Sequence, residues 1–154
     1  MSDRPAITLR PATADDSEDL LAWRNDPLTR ANSRSGEPVT HEAHAAWMSR
    51  VAADANRHVW IALEGEAKVG STSALLHEDG SVEISLTVAP EERGRRLASV
   101  LVTGAVAEVK ALWPDARIRS EIKEGNTASR KAFEACGFEQ VEERDGLLHY
   151  DLKS

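Results

Sequence analysis

Residues 82–99 read VEISLTVAPEERGRRLAS. Over 82–88 apolar and polar residues alternate, so Val82, Ile84, Leu86 and Val88 fall on one face of a strand and Glu83, Ser85 and Thr87 on the other. Pro90 and Gly94 break that pattern. Beyond them Ala98, Leu101, Val102, Ala105, Val106, Val109, Leu112 and Trp113 recur at helical spacing until Pro114. A strand therefore turns into a long amphipathic helix, and Arg93, Arg95 and Arg96 arrive at the first turn of that helix. The positive end of a helix dipole disfavours basic side chains unless an anion joins them. Two readings fit: a seat for a phosphate, built from free backbone N–H groups and guanidinium groups, or a solvated helix start with surface arginines.

The flanking sequence extends the pattern in both directions. Upstream, HVWIALEG (58–65), KVGSTSALL (68–76) and SVEISLTV (81–88) are period-two runs broken by Glu64-Gly65-Glu66 and by residues 77–80, which predicts an antiparallel meander. Earlier still, residues 7–10 alternate as a strand, and Thr13 with Asp16 forms a capping-box pattern ahead of Leu20, Leu21 and Trp23. Residues 24–39 carry Pro27, Gly36 and Pro38 among short polar side chains and read as a loop able to carry function. Thr40 caps a second helix whose apolar side runs through Ala43, Trp47 and Val51 with His44 beside it. Downstream come a strand at 117–122, a short helix at 126–135 closed by Gly137, and two strands about Asp145-Gly146. The order β-α-α-β-β-β-α-β-α-β-β predicts an α/β (α+β) chain of about seven strands and four helices. No internal repeat or linker divides it, so residues 1–154 form a single domain.

The chain has 154 residues, enough to bury roughly 70% of its unfolded surface in one core. Nineteen Lys and Arg against 26 Asp and Glu give a net charge of −7, which argues against a nucleic-acid partner. No apolar run approaches the ~18 residues of a membrane span, and the start MSDRPAITLR lacks the apolar centre of a secretory leader, so a cytoplasmic protein without membrane contact is expected. The single cysteine, Cys136, rules out an internal disulfide and a multi-thiolate zinc site, and no metal is expected.

Two segments carry a family resemblance. Arg93, two residues, Arg96, one residue and Ala98 is similar to the pyrophosphate-binding pattern of the GNAT superfamily of N-acetyltransferases, with Arg96 where the family usually has glycine. Asn126, Ser129, Phe133, Gly137 and Phe138 resemble its second segment, with Phe133 where many relatives have tyrosine. The resemblance implies a mixed, mostly antiparallel GNAT sheet and acetyl-CoA as acetyl donor. It places the cofactor along Leu86, Thr87 and Val88 and over the turn Arg93, Gly94, Arg95, Arg96, Leu97, Ala98 and Ser99, with Asn126, Ser129 and Phe133 on the other side. The pantetheine would insert between strands 82–88 and 117–122, splayed apart.

The same resemblance puts Glu83 near the glutamate that binds or deprotonates the acceptor amine; otherwise Glu83 is a half-exposed strand residue. A backbone N–H around Val88 would polarise the thioester carbonyl. Phe133 has no proton for the leaving thiolate, which leaves Ser129, water or Tyr150 as donor, and Cys136 reads as a buried apolar thiol. In the first third of the chain Trp23, Arg24, Asn25, Arg30, His44 and Trp47 resemble the branch that acetylates nucleotide-linked amino sugars and, more loosely, ribosomal-protein N-termini. Trp23, Arg24, Asn25, Arg30 and Trp47, with Glu83, are then the acceptor-binding candidates, although both tryptophans also suit a core between the first two helices and His44 suits packing. The implied partner is a small-molecule amine: an amino-sugar nucleotide, a peptide N-terminus, an antibiotic or a simple amine. A homodimer is the assembly common in such domains. The alternative of another class is a non-catalytic acyl-CoA-binding module.

Overall fold

The computed structural model describes residues 6–33 and 36–153. Arg34 and Ser35 of the polar segment, and residues 1–5 of the stretch read against a leader, lie outside the described residues. Among the described residues seven strands form one open sheet: β1 (Ile7–Pro11), β2 (Arg57–Glu64), β3 (Ala67–Leu76), β4 (Ser81–Val88), β5 (Arg117–Lys123), β6 (Phe138–Arg144) and β7 (Leu147–Leu152). Their spatial order is β1-β2-β3-β4-β5-β7-β6, and every neighbouring pair is antiparallel except β4 with β5. The helices are α1 (Ser17–Arg24), α2 (Pro27–Ala31), α3 (His41–Ala53), α4 (Leu97–Leu112) and α5 (Thr127–Ala135). The strands and four of these helices follow the predicted order, and the mixed α/β architecture is the expected one.

Alternation along β2 shows how the helices divide. Trp60 packs with Val102 and Ala105 of α4, whereas its neighbour Ile61 packs with Leu20 and Trp23 of α1. Adjacent strand residues point to opposite faces, so α4 covers one side of the sheet and α1 the other, where α3 joins it. The larger core lies under α4 and α5, where Val82, Ile84, Val109, Ile118, Phe133, Phe138 and Tyr150 meet. Gly70 allows β3 and β4 to close there: a Cβ at this position would lie 2.4 Å from the Thr87 carbonyl oxygen and 3.1 Å from a Leu101 methyl. No helix among the described residues is long and apolar enough to cross a membrane.

Three local expectations change. The polar segment is not all loop, because Asp26 caps the extra helix α2, accepting from the N–H groups of Leu28 (3.1 Å) and Thr29 (3.2 Å), with Pro27 in the first turn. The inward side of α3 is His44, Trp47, Met48 and Val51, spaced i, i+3, i+4 and i+7, while Ala43 is exposed. The arginines do not occupy the first turn of α4. A one-turn 3-10 helix at Pro90–Glu92 leaves Arg93 and Arg95 in the connection, and α4 begins only after Arg96.

Asp16 ties the two ends of the α1 side together. Its buried carboxylate accepts from both terminal nitrogens of Arg10 (2.8 and 2.9 Å), from the backbone N–H of Thr13 (2.8 Å), and lies 2.7 Å from Lys68 Nζ. These donors, the Arg10 fork first, hold the Asp16 carboxyl far below the usual carboxylate range despite burial. A depressed folded-state pKa contributes stability above the unfolded value of about 3.9, and that contribution is lost as pH falls below it. Asp16→Asn should therefore lower unfolding free energy by about 2–4 kcal/mol at pH 7. In urea melts the gap between wild type and variant should hold from pH 5 to 8 and narrow below about pH 4.

Candidate functional site

β4 and β5 pair over three residues only, Ser81 with Arg117, Val82 with Ile118 and Glu83 with Arg119. At the end of that ladder the buried Ser120 hydroxyl donates to the Ile84 carbonyl at 2.8 Å, replacing a backbone partner. Arg119 Nε fastens the paired end by donating to Ser81 Oγ at 3.0 Å. The Ile84 carbonyl points toward β5, and strand alternation turns the N–H and C=O groups of Leu86 and Val88 the same way. Consistently, the Ala89 N–H faces the opposite side and donates to Val69 at 2.9 Å. The two strands part beyond Ile84, leaving an edge of backbone donors and acceptors along a cleft of about 1370 Å³.

The cleft ends at the start of α4. Arg96, its N-cap, sits in the left-handed region at φ 60° and offers no capping side chain, so no side-chain acceptor closes the first turn of N–H groups. Gly94 takes φ 84° in the same turn. An uncapped helix end at the mouth of an open strand edge fits a phosphorylated, extended ligand: anionic at one end and able to pair with a strand along its length. A further group without a protein partner among the described residues is the buried Thr72 hydroxyl, which lines the cleft.

Most of the residues named from the sequence line this space: Trp23, Arg24, Trp47 and Glu83 on the α1 and α3 side, Leu86, Thr87 and Val88 along the strand, Arg93, Gly94, Arg96, Leu97, Ala98 and Ser99 at the turn, and Asn126, Ser129 and Phe133 opposite. Three do not. Asn25 uses its amide on Val39, donating to its carbonyl (2.8 Å) and accepting from its N–H (2.7 Å), which closes the segment between α1 and α3. Arg30 Nε donates to Gly36 O at 3.3 Å. Arg95 turns away to Glu64 (2.6 Å) and Glu92. Each of these three side chains is engaged by another group of the chain rather than by the cleft.

Other named side chains acquire defined surroundings. Arg93 donates to Asp26 Oδ2 (2.5 Å) and Thr29 Oγ1 (3.1 Å), clamping the turn to α2 and holding the Asp26 carboxyl below its usual range. Asn126 accepts from the Ser129 N–H at 3.3 Å and so caps α5, while the Ser129 hydroxyl has no partner among the described residues. Phe133 is buried edge-on against Phe138, centroids 4.9 Å apart. Tyr150 is fully buried outside the cleft, its hydroxyl donating to Glu134 (2.7 Å) and accepting from Arg130 (3.4 Å), which removes it as a proton donor to the cleft. Cys136 donates to the Ser99 carbonyl at 3.4 Å and joins α5 to α4. Trp23 is core, with Leu20, Ile61 and Ala89. His44 is buried beside Trp47, 3.1 Å from Ser17 Oγ, and burial lowers its pKa.

Glu83 Oε1 lies 2.9 Å from His77 Nε2, a contact the sequence reading missed although both flank one hairpin. It also missed Ser71 and Ser73, which sit beside Thr87 and Ser85 across the β3–β4 ladder and give the strand face opposite α4 a hydroxyl-rich floor. Ser73 and Ser85 share a hydrogen bond of 2.5 Å. The signal was the period-two spacing of Ser71 and Ser73 in one strand and of Ser85 and Thr87 in the next. Among the described residues no group of three or more His, Cys, Asp or Glu side chains can hold a metal ion.

The family model described as "Acetyltransferase (GNAT) domain" matches residues 6–139. The chain belongs to the GNAT acetyltransferases. Solved structures agree with the fold of this acetyltransferase. A domain from Methanocaldococcus jannaschii DSM 2661 is 26% identical, with a TM-score of 0.84 over 97% of this chain and 99% of the other. A spermidine N-acetyltransferase from Vibrio cholerae, in complex with CoA and spermine, is 15% identical with a TM-score of 0.83 over 95% and 94%. The N-acetyltransferase PseH of Campylobacter jejuni, in complex with acetyl coenzyme A, is 14% identical with a TM-score of 0.75 over 96% and 99%. No curated protein matches the chain significantly.

Arg96 stands at a backbone position that glycine adopts without strain, whereas an L side chain there costs about 1 kcal/mol. Arg96→Gly should raise the calorimetric Tm of this acetyltransferase by roughly 1–3 °C. A fall in Tm would show that the Arg96 side chain stabilises the turn by more than its backbone costs.

Proposed function

We propose that this acetyltransferase moves the acetyl group of acetyl-CoA onto a primary amine by direct attack in a ternary complex, the acceptor being an amino sugar linked to a nucleotide. The observation that carries the reading is the strand edge of β4, open from Ile84 onward and ending at the uncapped start of α4. The donor brings the thioester and its activated acetyl group. The chain's own groups do the rest. Backbone N–H groups at the α4 start, with Arg96, receive the pyrophosphate, and Gly94 lets the backbone approach it. Leu86 and Val88 offer strand pairing to the pantetheine, and the Val88 N–H polarises the thioester carbonyl.

Glu83 takes the proton that the acceptor ammonium must lose before it can attack. His77, in contact with Glu83 and partly open to water, passes that proton on. Phe133 cannot protonate the leaving thiolate, and Tyr150 is committed elsewhere, so Ser129 or a water beside it supplies that proton. Arg24 and Trp47 face the acceptor. Trp47, half-buried on the cleft wall, supplies a flat surface for a sugar ring. The homodimer common in such domains completes the proposal, and sizing chromatography tests it.

Acetyl-CoA should raise the Tm of the chain, and amines should then release free CoA thiol, an amino-sugar nucleotide fastest on a panel with simple amines, peptides and aminoglycosides. Glu83→Gln should leave the acetyl-CoA shift intact and lower turnover about 10²–10⁴-fold, most at low pH where the amine is protonated. An unchanged pH profile removes Glu83 from the mechanism.

A further inference from the structure

The side of the cleft beneath α1 and α3 has a floor whose rows are set by strand register. Arg57, Leu75 and Glu83 form one row across β2, β3 and β4; Val59, Ser73 and Ser85 form the next. All six line the cleft. Neighbouring strands lie about 4.8 Å apart, so Arg57 and Glu83 stand on one face with backbones about 10 Å apart. Arg50 of α3 reaches the same space from above.

The charges there are unequal. Among the described residues the cleft is lined by Glu83, Glu92 and Glu121 but by seven cations, Arg24, Arg50, Arg57, Arg93, Arg96, Lys123 and Lys131. The acids are each held: Glu83 by His77, Glu92 by Arg95, and Glu121 by Arg119 at 2.9 Å. The guanidinium groups of Arg50 and Arg57 have no hydrogen bond or ion pair among the described residues. Two guanidinium groups without partners in a cleft whose acids are engaged create a positive potential on the acceptor side, away from the α4 turn where Arg93 and Arg96 lie. Beyond Glu83 a polycationic amine would find no second carboxylate for its other charges at that end, whereas an anionic group would find a bidentate donor.

We infer that Arg57, assisted by Arg50, is an anion subsite that takes a phosphate or carboxylate carried by the acceptor itself, with the acceptor's amine at Glu83. The inference rests on the assignment of the Glu83 side to the acceptor, and it specifies the acceptor as a zwitterion rather than a polyamine. Either anion satisfies the geometry.

Calorimetry on the CoA-saturated protein separates the cases, using glucosamine 6-phosphate against glucosamine and 6-aminohexanoate against hexylamine. At least one probe carrying an anionic group should bind more tightly than its anion-free partner, and Arg57→Gln should weaken that probe by about 10- to 100-fold without weakening the anion-free one. Arg57→Lys should restore part of the loss. The pair that responds distinguishes phosphate from carboxylate. Equal binding of each pair, loss of both members in Arg57→Gln, or binding of neither anionic probe overturns the subsite. Acetyl transfer is read separately by thiol release. Anion binding that depends on Arg57 without release on any amine leaves the subsite standing and removes the transfer reading; release from an anion-bearing amine that Arg57→Gln leaves unchanged does the reverse.

Discussion

Parallel strands can be neighbours only when a long crossover returns the chain, and here α4 makes that return between β4 and β5. Their pairing lasts three residues before the Ser120 hydroxyl takes the Ile84 carbonyl and the strands diverge. Backbone polar groups inside a protein require partners. Those of Leu86 and Val88 face the gap, so the divergence creates a strand edge in the middle of a sheet, the place best protected from unwanted pairing with other chains. The cleft, the turn before α4, the cap of α5 and the helices above the floor are all arranged around that one break.

The net charge of −7 describes the molecule at long range and misdescribes the cleft. Acidic residues elsewhere are numerous, but those lining the cleft are few and engaged, and cations outnumber them there. Even the three arginines before α4 behave differently from one another. Arg93 clamps α2, Arg95 joins Glu64 and Glu92, and Arg96 stands as the N-cap of α4 in the left-handed region while lining the cleft. Proximity in sequence put them side by side, and packing separated their roles.

The legible parts of the site were those with a local cause. The β4 alternation, the Gly94 turn and the Thr13 and Asp16 box all arise from residues within a few positions of one another, and each appears where the spacing predicts. Asp26 as a helix cap was equally local but was obscured by the loop-forming residues around it. The engagements of Asn25 with Val39 and of Arg95 with Glu64 were not legible, because those partners lie 14 and 31 positions away and are set by how separate segments meet.

By itself the sequence determined the order of strands and helices, the inward faces of β4 and α4, and the two short segments that identify the family, since all of these depend on periodicity and turn chemistry within one stretch of chain. Only the tertiary structure decided where β4 and β5 part, which guanidinium groups face the cleft, and that Tyr150 is sealed beneath α5. The physical reason is distance along the chain: Arg93 meets a residue 67 positions away, Ser120 one 36 positions away and Tyr150 one 16 positions away, and such encounters follow from the packing of the whole sheet rather than from any local preference.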